Sequence, residues 1–482
     1  MEPVEKKAYE NSKFIMASYG TREMFGQWIA AAFGFTVFFF YEVVIGLNVL
    51  LAALAFVLYS IWNAVNDPLI GYLIEKLHTP WEKKWNLKRF PWILVGVIPW
   101  LLSFLLIFMV PTEWDPIANP SDNWLVFGWF LFTICIYDTC NTLFDVNVVS
   151  LYLDKFRDLN ERRTVQGFGT IFGIIGLVLA AIIPPMFITT GVRETYQTAA
   201  LVTTSFGIII FLFVIPGVWE NKKTRERYRQ KRQMAKDMES ESFLKTAKTT
   251  ITNKCFMGKV ILFYGYQVGA VMLQYSAFYV VTYLLDEEAG AITYLLGAML
   301  LGALISVPLW VILSHKMNNN KKVSIIGAII MFFTFIPMIF ISTMFAWIIV
   351  LALFGVGLGG QWFSDPPTMG DMIDDISVKT GKREPGIYYG YQAFFIRLGY
   401  ATIAVTIAIV HSLTGFVEGA PSLAELIAQS PTPALALFGI RIHTAIVPAI
   451  LILITIIIFW KWYDLTPDKV AENKSKLKEL GI

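Results

Sequence analysis

Twelve apolar stretches, most of them longer than the roughly 20 residues a helix needs to cross a hydrocarbon core, leave this chain few folds to adopt. They run over about 24–46, 48–75, 91–110, 124–152, 164–190, 198–219, 258–284, 290–313, 323–343, 346–374, 387–412 and 438–461. Hydrophobic residues make up 56% of the 482 and charged residues only 16%, a ratio too apolar for a soluble protein of this size. The expected fold is an all-α membrane protein with twelve transmembrane helices. Trp92, Trp114, Trp124, Trp219, Trp347, Trp460 and Trp462 lie near segment ends, where an interfacial aromatic belt places them.

The basic residues set an orientation. The N-terminus, the loops 76–90, 153–163, 220–257, 314–322 and 375–386, and the C-terminal tail hold nearly all of them, whereas Arg193 stands alone in the opposite loops. Both termini are therefore expected in the cytoplasm of a multi-pass cell-membrane protein. Residues 1–20 have no apolar run of the cleavable-signal type, so the first segment is expected to act as its own targeting signal. Cys135 and Cys140 lie in an apolar run and Cys255 in a basic loop, which is no disulfide framework.

The longest basic loop divides six segments from six. The expected organisation is an N-terminal six-helix bundle over 1–219, a cytoplasmic linker over 220–257 with a short surface helix, a C-terminal bundle over 258–461 and a cytoplasmic tail over 462–482. A faint repeat joins the halves: at an offset of 220, Asp145, Asp154 and Arg163 fall on Asp365, Asp374 and Arg383. Two parallel six-helix repeats are a transporter architecture, in which substrate binds near the bilayer midplane.

Polar residues inside the segments carry the functional signal. The second segment contains Trp62-Asn63-Ala64-Val65-Asn66-Asp67-Pro68. A carboxylate there costs about 2.5–3.5 kcal/mol on insertion scales and normally faces protein or a water-filled cavity. Asn63, Asn66 and Asp67 share a helix face at i, i+3, i+4, and Pro68 frees the carbonyl one turn earlier. Side-chain and backbone oxygens grouped this way suit a small cation or a proton. The fourth segment aligns Asp138, Asn141, Thr142 and Asp145 on one face, the seventh carries Gln267 and Gln274, and the tenth Gln361, Trp362 and Asp365 before Pro366-Pro367, which is expected to break or kink it. The eleventh carries Tyr388, Tyr391, Gln392 and Arg397. Arg397 stays charged at that depth and needs a counter-ion, for which Asp67, Asp138 and Asp145 are candidates; it is either a static salt bridge or part of substrate binding and coupling. Glu42 lies nearer the outer end of the first segment. The four histidines are not expected to cluster, and His411 and His443 read as packed or interfacial. Asp154, Arg163, Asp374 and Arg383 form a candidate inner gate, with a solvated loop as the plainer reading. Glycines at 167, 169, 173 and 176, and at 355, 357, 359 and 360, read as close helix packing. No phosphate-binding loop, metal-ligand spacing or nucleophile elbow appears, so neither an ATP motor nor an enzyme is expected.

Several ordered motifs resemble the glycoside–pentoside–hexuronide:cation symporters, the melibiose permease group of the major facilitator superfamily. Ser18-Tyr19-Gly20, Phe40 to Leu47, the second-segment W-N-A-x-N-D-P-x-x-G, Asp371-Met372-Ile373-Asp374-Asp375 and Arg383-Glu384 through Arg397 fall in family order. The resemblance implies a cation or proton at Asn63, Asn66, Asp67 and Asp138, with Asn63 replacing a family aspartate. It implies substrate contacts from Gln27, in place of another aspartate, and from Asp138, with Arg397 replacing a membrane lysine. Asn141, Asp145, Gln267, Trp362 and Gln392 complete the candidate substrate set.

The expected function is secondary active symport of a sugar- or glycoside-like solute by alternating access, coupled to a proton or sodium. Lysolipid symport and a non-transporting sensor or adaptor are the alternatives. The expected partners are a small solute and the bilayer, with no nucleic acid, no cofactor beyond the coupling ion, and a monomeric chain.

Overall fold

A computed structural model describes residues 10–77, 79–85, 87–156, 158–226, 252–381 and 385–480. Twelve helices are long and apolar enough to cross a membrane, and among the described residues there is no β-strand. The protein is a multi-pass all-α membrane protein, the architecture in which backbone groups are satisfied within each segment. Most of the expected linker, 227–251, lies outside the described residues.

The described residues of Met1–Phe40 and Ile61–Glu239 form one compact unit, and those of Tyr41–Ser60 and Ser240–Ile482 a second. The helices in chain order are α1 (Lys13–Phe39), α2 (Val49–Lys76), α3 (Pro80–Trp85), α4 (Phe90–Ile107), α5 (Asp122–Lys155), α6 (Leu159–Ile182), α7 (Arg193–Val218), α8 (Lys254–Tyr279), α9 (Ile292–Met317), α10 (Asn320–Met338), α11 (Met344–Thr380), α12 (Pro385–Thr414), α13 (Leu423–Gln429), α14 (Pro433–Arg441), α15 (Val447–Trp462) and α16 (Pro467–Leu480). Three π-helical turns extend them: Phe40–Val44 after α1, Val280–Leu284 after α8, and Ile442–Ile446 joining α14 to α15.

In the first unit α1 packs against α6 and α7, and α4 against α5. Phe25 of α1 is the hub. Its ring meets Trp100 of α4 edge-on at 5.1 Å, Phe144 of α5 at 5.4 Å and Phe211 of α7 at 5.7 Å. Trp28 places its indole N–H on the Thr203 carbonyl at 2.8 Å, satisfying the donor that burial of an aromatic amine requires. Ser18 enters the α7 backbone ladder beside Pro216: the Gly217 N–H donates to Ser18 Oγ (2.7 Å), which donates to the Phe213 carbonyl (2.6 Å). A side chain thus restores hydrogen bonding where a helix in lipid has a proline.

Lys155 and Glu220 close one end of this unit. Lys155 Nζ donates to the carbonyls of Gly217 (2.5 Å) and Trp219 (3.0 Å). Glu220 accepts from the amides of Lys88 (2.9 Å), Arg89 and Phe90 (3.1 Å), capping the start of α4. Burial pushes the Lys155 ammonium down to about 8, with nearby Glu220 opposing the shift, and pushes the Glu220 carboxyl up against the pull of its amide donors.

In the second unit α11 lies between α9 and α10, and α8 contacts α12 and α15. Small residues permit these approaches. A Cβ at Gly355 would stand 2.0 Å from the Met299 carbonyl oxygen of α9, and one at Gly359 2.6 Å from that of Ala303, as expected for close packing. Gly167, read the same way from sequence, has open space at that position. The expected break at Pro366-Pro367 does not occur: α11 continues through both prolines for 37 residues. Thr368 Oγ1 donates to the carbonyls of Ser364 (2.8 Å) and Asp365 (3.0 Å), anchoring this turn beside the two residues that lack amide donors. At about 1.5 Å per residue, α11 outruns the hydrocarbon core. Its end carries Asp375, which accepts from Lys379 (2.5 Å) and from Asn473 of α16 (3.1 Å). Cys255, expected in a loop, is buried in the first turn of α8.

Two measurements test this packing. Gly355→Ala is expected to destabilise the fold by about 1–3 kcal/mol through overpacking, seen as a lowered Tm, whereas Gly297→Ala, with open space, is expected to change stability by less than about 0.5 kcal/mol. For Lys155 the folded state sheds its proton first, so the unfolded chain binds more protons from about 8 to 10.5 and stability rises with pH over that window. Lys155→Met is expected to flatten that rise in a Tm-against-pH series.

Candidate functional site

The polar faces read from the second and fourth segments meet inside the first unit. Asn63 Nδ2 donates to Asp138 Oδ1, and Asn66 Nδ2 donates to Asp138 Oδ2 (3.2 Å) and Thr142 Oγ1 (3.0 Å). Thr142 Oγ1 donates to Asp67 Oδ1 at 2.6 Å. Asp138 and Asn66 are buried, and Asn63 and Asp67 half-buried. One turn earlier, Trp62 Nε1 donates to Thr139 Oγ1 at 3.0 Å. The i, i+3, i+4 spacing on both helices is what aligns these side chains. All four residues expected to hold a cation or proton are therefore adjacent. Asn63 Oδ1 is buried without a hydrogen-bond partner. Such an orphaned acceptor beside a carboxylate is costly as it stands, and it fits a cation that prefers oxygen ligands.

Lower on the same α5 face, Asp145 lies 3.4 Å from Arg22 of α1, which also pairs with Glu23 at 2.5 Å. Sequence reading missed Arg22 and Glu23 because the apolar window opens at 24, whereas the helix starts at Lys13. Gln27 is exposed one turn on, beside Gly173 of α6, and Asn141 is half-buried.

The second unit has its own polar group. Lys259 of α8 donates to Asp365 Oδ1 of α11 and to Gln392 Oε1 of α12 (2.6 Å); Gln392 Nε2 returns a bond to Asp365 Oδ2 (3.2 Å). The Tyr266 hydroxyl also bonds Asp365. Lys259 is 3% exposed at its side chain and Asp365 15%, so this is a nearly dry ion pair braced by Gln392. Lys259 escaped sequence reading because it stands beside the basic linker, where one more lysine looks like topology. Trp362 Nε1 donates to Gln267 Oε1 at 3.4 Å. Arg397 is half-buried and acts electrostatically on Tyr400 of its own helix.

The gate candidates are only partly placed: Asp154 is buried, Arg163 exposed and Asp374 half-buried, while Arg383 lies outside the described residues. The histidines depart from expectation. His411 Nε2 and His443 Nε2 are 3.2 Å apart and both rings are buried, because α12 and the turn Ile442–Ile446 converge. Sequence separation hides that pairing.

Removing Lys259 alone strands a carboxylate. Lys259→Met is expected to destabilise the protein by about 3–5 kcal/mol, and Lys259→Met with Asp365→Asn to recover most of that loss in detergent thermal unfolding. Equal losses in the single and double variants would rule out the pairing as the source.

The pattern of the MFS/sugar transport protein family matches residues 18–467. The sodium-dependent lysophosphatidylcholine symporter 1 of Gallus gallus is 23% identical over 456 residues, covering 87% of this chain and 80% of that one. The uncharacterized symporter YnaJ of Bacillus subtilis (strain 168) is 24% identical over 460 residues, covering 92% and 89%. The crystal structure of a D-xylose-proton symporter superposes with a TM-score of 0.62 at 13% identity, covering 96% of this chain and 99% of that one, a likeness of fold. This chain belongs to the MFS/sugar transport protein family of membrane transporters.

Proposed function

We propose that the protein is a cation-coupled symporter of a hydroxylated organic solute, working by alternating access. The observation that carries the coupling is the buried, unpartnered Asn63 Oδ1 beside Asp138 and one turn from Asp67. Asn63, Asp67 and Asp138 supply carboxylate and amide oxygens, the donor set of a hard monovalent cation, and either carboxylate is able to take a proton instead. Asn66 and Thr142 hold the carboxylates in place through the bonds described above. Sodium and proton are the two candidate coupling ions. The basic loops support cytoplasmic termini.

Sugars or glycosides are the substrate class we favour. The Trp362–Gln267 pair combines an aromatic face with an amide, and Gln27, Asn141, Asp145, Gln392 and Arg397 are further candidate contacts; side chains of these kinds suit a hydroxylated ring. A second reading is lysophospholipid symport. It is supported by relatives of that printed name at 22–24% identity across most of the chain, with Arg397 then meeting a phosphate.

Uptake of a radiolabelled sugar and lysophospholipid panel into proteoliposomes, under sodium and proton gradients imposed separately, tests both readings. Gradient-driven sugar accumulation is the expected result. Lysophospholipid entry without sugar flux selects the second reading, and binding without flux points to a sensor. Asp67→Asn is expected to abolish accumulation while leaving exchange of solute measurable, and Asn63→Ala to weaken the apparent ion affinity about tenfold. Unchanged gradient-driven uptake in Asp67→Asn refutes the ion site.

A further inference from the structure

Glu42, His411 and His443 form a set of titratable groups that neither polar face uses. They are 0%, 1% and 0% exposed and lie within the second unit. Glu42 sits in the π-helical turn Phe40–Val44, His443 in the turn Ile442–Ile446, and Tyr279 immediately before the turn Val280–Leu284. Such turns re-aim side chains and recur at functional sites; here all three π turns of the described residues supply or adjoin the cluster.

The groups are linked in a chain. Tyr279 donates its hydroxyl to Glu42 Oε2. Glu42 Oε1 is 2.7 Å from His411 Nδ1, His411 Nε2 is 3.2 Å from His443 Nε2, and His443 Nδ1 is 2.9 Å from Ser276 Oγ. Phe416 stacks on His411 at 4.1 Å, and Tyr279 meets both imidazoles edge-on at 5.1 and 5.7 Å. The groups facing the cluster are Tyr279, Ser276 and Tyr283 from α8 and its turn, and Glu418 from the loop after α12. Glu418 acts on His411 through space and accepts from the Val49 amide. Arg441, two residues before His443, is committed to the carbonyls of Met338, Ile339 and Ile341. Among the described residues no lysine or arginine pairs with Glu42.

Each of the three links from Glu42 to Ser276 needs one hydrogen, and two proton counts supply it. With Glu42 ionised and both imidazoles neutral, His411 Nδ1–H donates to Glu42, His443 Nε2–H to His411 Nε2, and the Ser276 hydroxyl to His443 Nδ1. With one proton more, every link reverses. Glu42 O–H donates to His411 Nδ1, His411 Nε2–H to His443 Nε2, and His443 Nδ1–H to Ser276 Oγ. The added proton removes the buried charge and all three links persist, with the Ser276 hydroxyl hydrogen turned out of the chain. Ordinary buried carboxylates lack this property, because protonation converts an acceptor into a donor and leaves a partner facing it wrongly.

We infer that Glu42, His411 and His443 are a one-proton binding site, separate from the Asn63–Asp67–Asp138 face, whose occupancy makes transport pH-dependent. Within the second unit the site joins the segment around Glu42 to α8, α12 and the turn Ile442–Ile446, so its proton count bears on the contacts among them. The proton-binding claim stands by itself; the link to transport rests on the proposed function.

The test uses the full chain in lipid nanodiscs with 15N-labelled histidine, followed by NMR from about pH 3.5 to about pH 9, which brackets ordinary carboxyl and imidazole titration. The expected result is a concerted tautomer reversal: hydrogens on His411 Nδ1 and His443 Nε2 at the alkaline end, on His411 Nε2 and His443 Nδ1 at the acid end. Glu42→Gln, whose amide N–H donates to His411 Nδ1 permanently, is expected to hold the acid-end pattern throughout. Fixed tautomers in the wild-type protein, or a reversal unchanged by Glu42→Gln, overturn the site. In proteoliposomes, loss of the pH dependence of uptake in Glu42→Gln supports the link to transport, and an unaltered profile overturns that link. The NMR result needs no transported solute, so failure of the symport reading and failure of the proton site are read separately.

Discussion

Inside a bilayer no water stands ready to hydrogen-bond a buried polar group, so each one must find its partner within the protein. That constraint explains which residues meet here. Asp138 is held by two asparagines one turn apart on α2, Asp365 by a lysine, a glutamine and a tyrosine, and Glu42 by a tyrosine and a histidine. Ser18 and Thr368 do the same for backbone around prolines. In each case the helix is free to place a costly group only where a second helix brings the answering one.

The two units meet this constraint in parallel ways. In the first, a cation on the opening helix, Arg22, pairs with an aspartate of the fourth spanning helix, Asp145. In the second, Lys259 on the opening helix pairs with Asp365 on the fourth. Asp145 and Asp365 are the positions that an offset of 220 relates, and both opening helices end in a π-helical turn. The pairs differ in environment. Asp145 is 56% exposed at its side chain and Asp365 15%, so the first pair is the more open one and the second a buried one whose partners depend on each other.

The exception within these networks is Asn63 Oδ1, which has no partner. Where the carboxylates Asp138, Asp365 and Glu42 each find donors, this amide oxygen beside Asp138 is buried with none. An unpartnered oxygen beside a carboxylate is the feature on which the proposed ion site rests.

The sequence by itself determined the membrane class, the number of spans, the α2 face that carries Asn63, Asn66 and Asp67 and the α5 face that carries Asp138, because length, hydropathy and helical periodicity are local properties. It located the packing glycines at 355 and 359 for the same reason. It misplaced the start of α1, since hydropathy marks where apolar residues begin rather than where a helix does, and with it lost Arg22 and Glu23; Lys259 lay inside the seventh segment but beside the basic linker, where it read as topology. A break at Pro366-Pro367 was expected from backbone chemistry alone; neighbouring side chains and packing carried the helix through. The meeting of Glu42 with His411 and His443, which lie hundreds of residues further along the chain, was decided only by tertiary structure, because which distant polar groups satisfy one another depends on how helices converge and leaves no periodic trace in the chain.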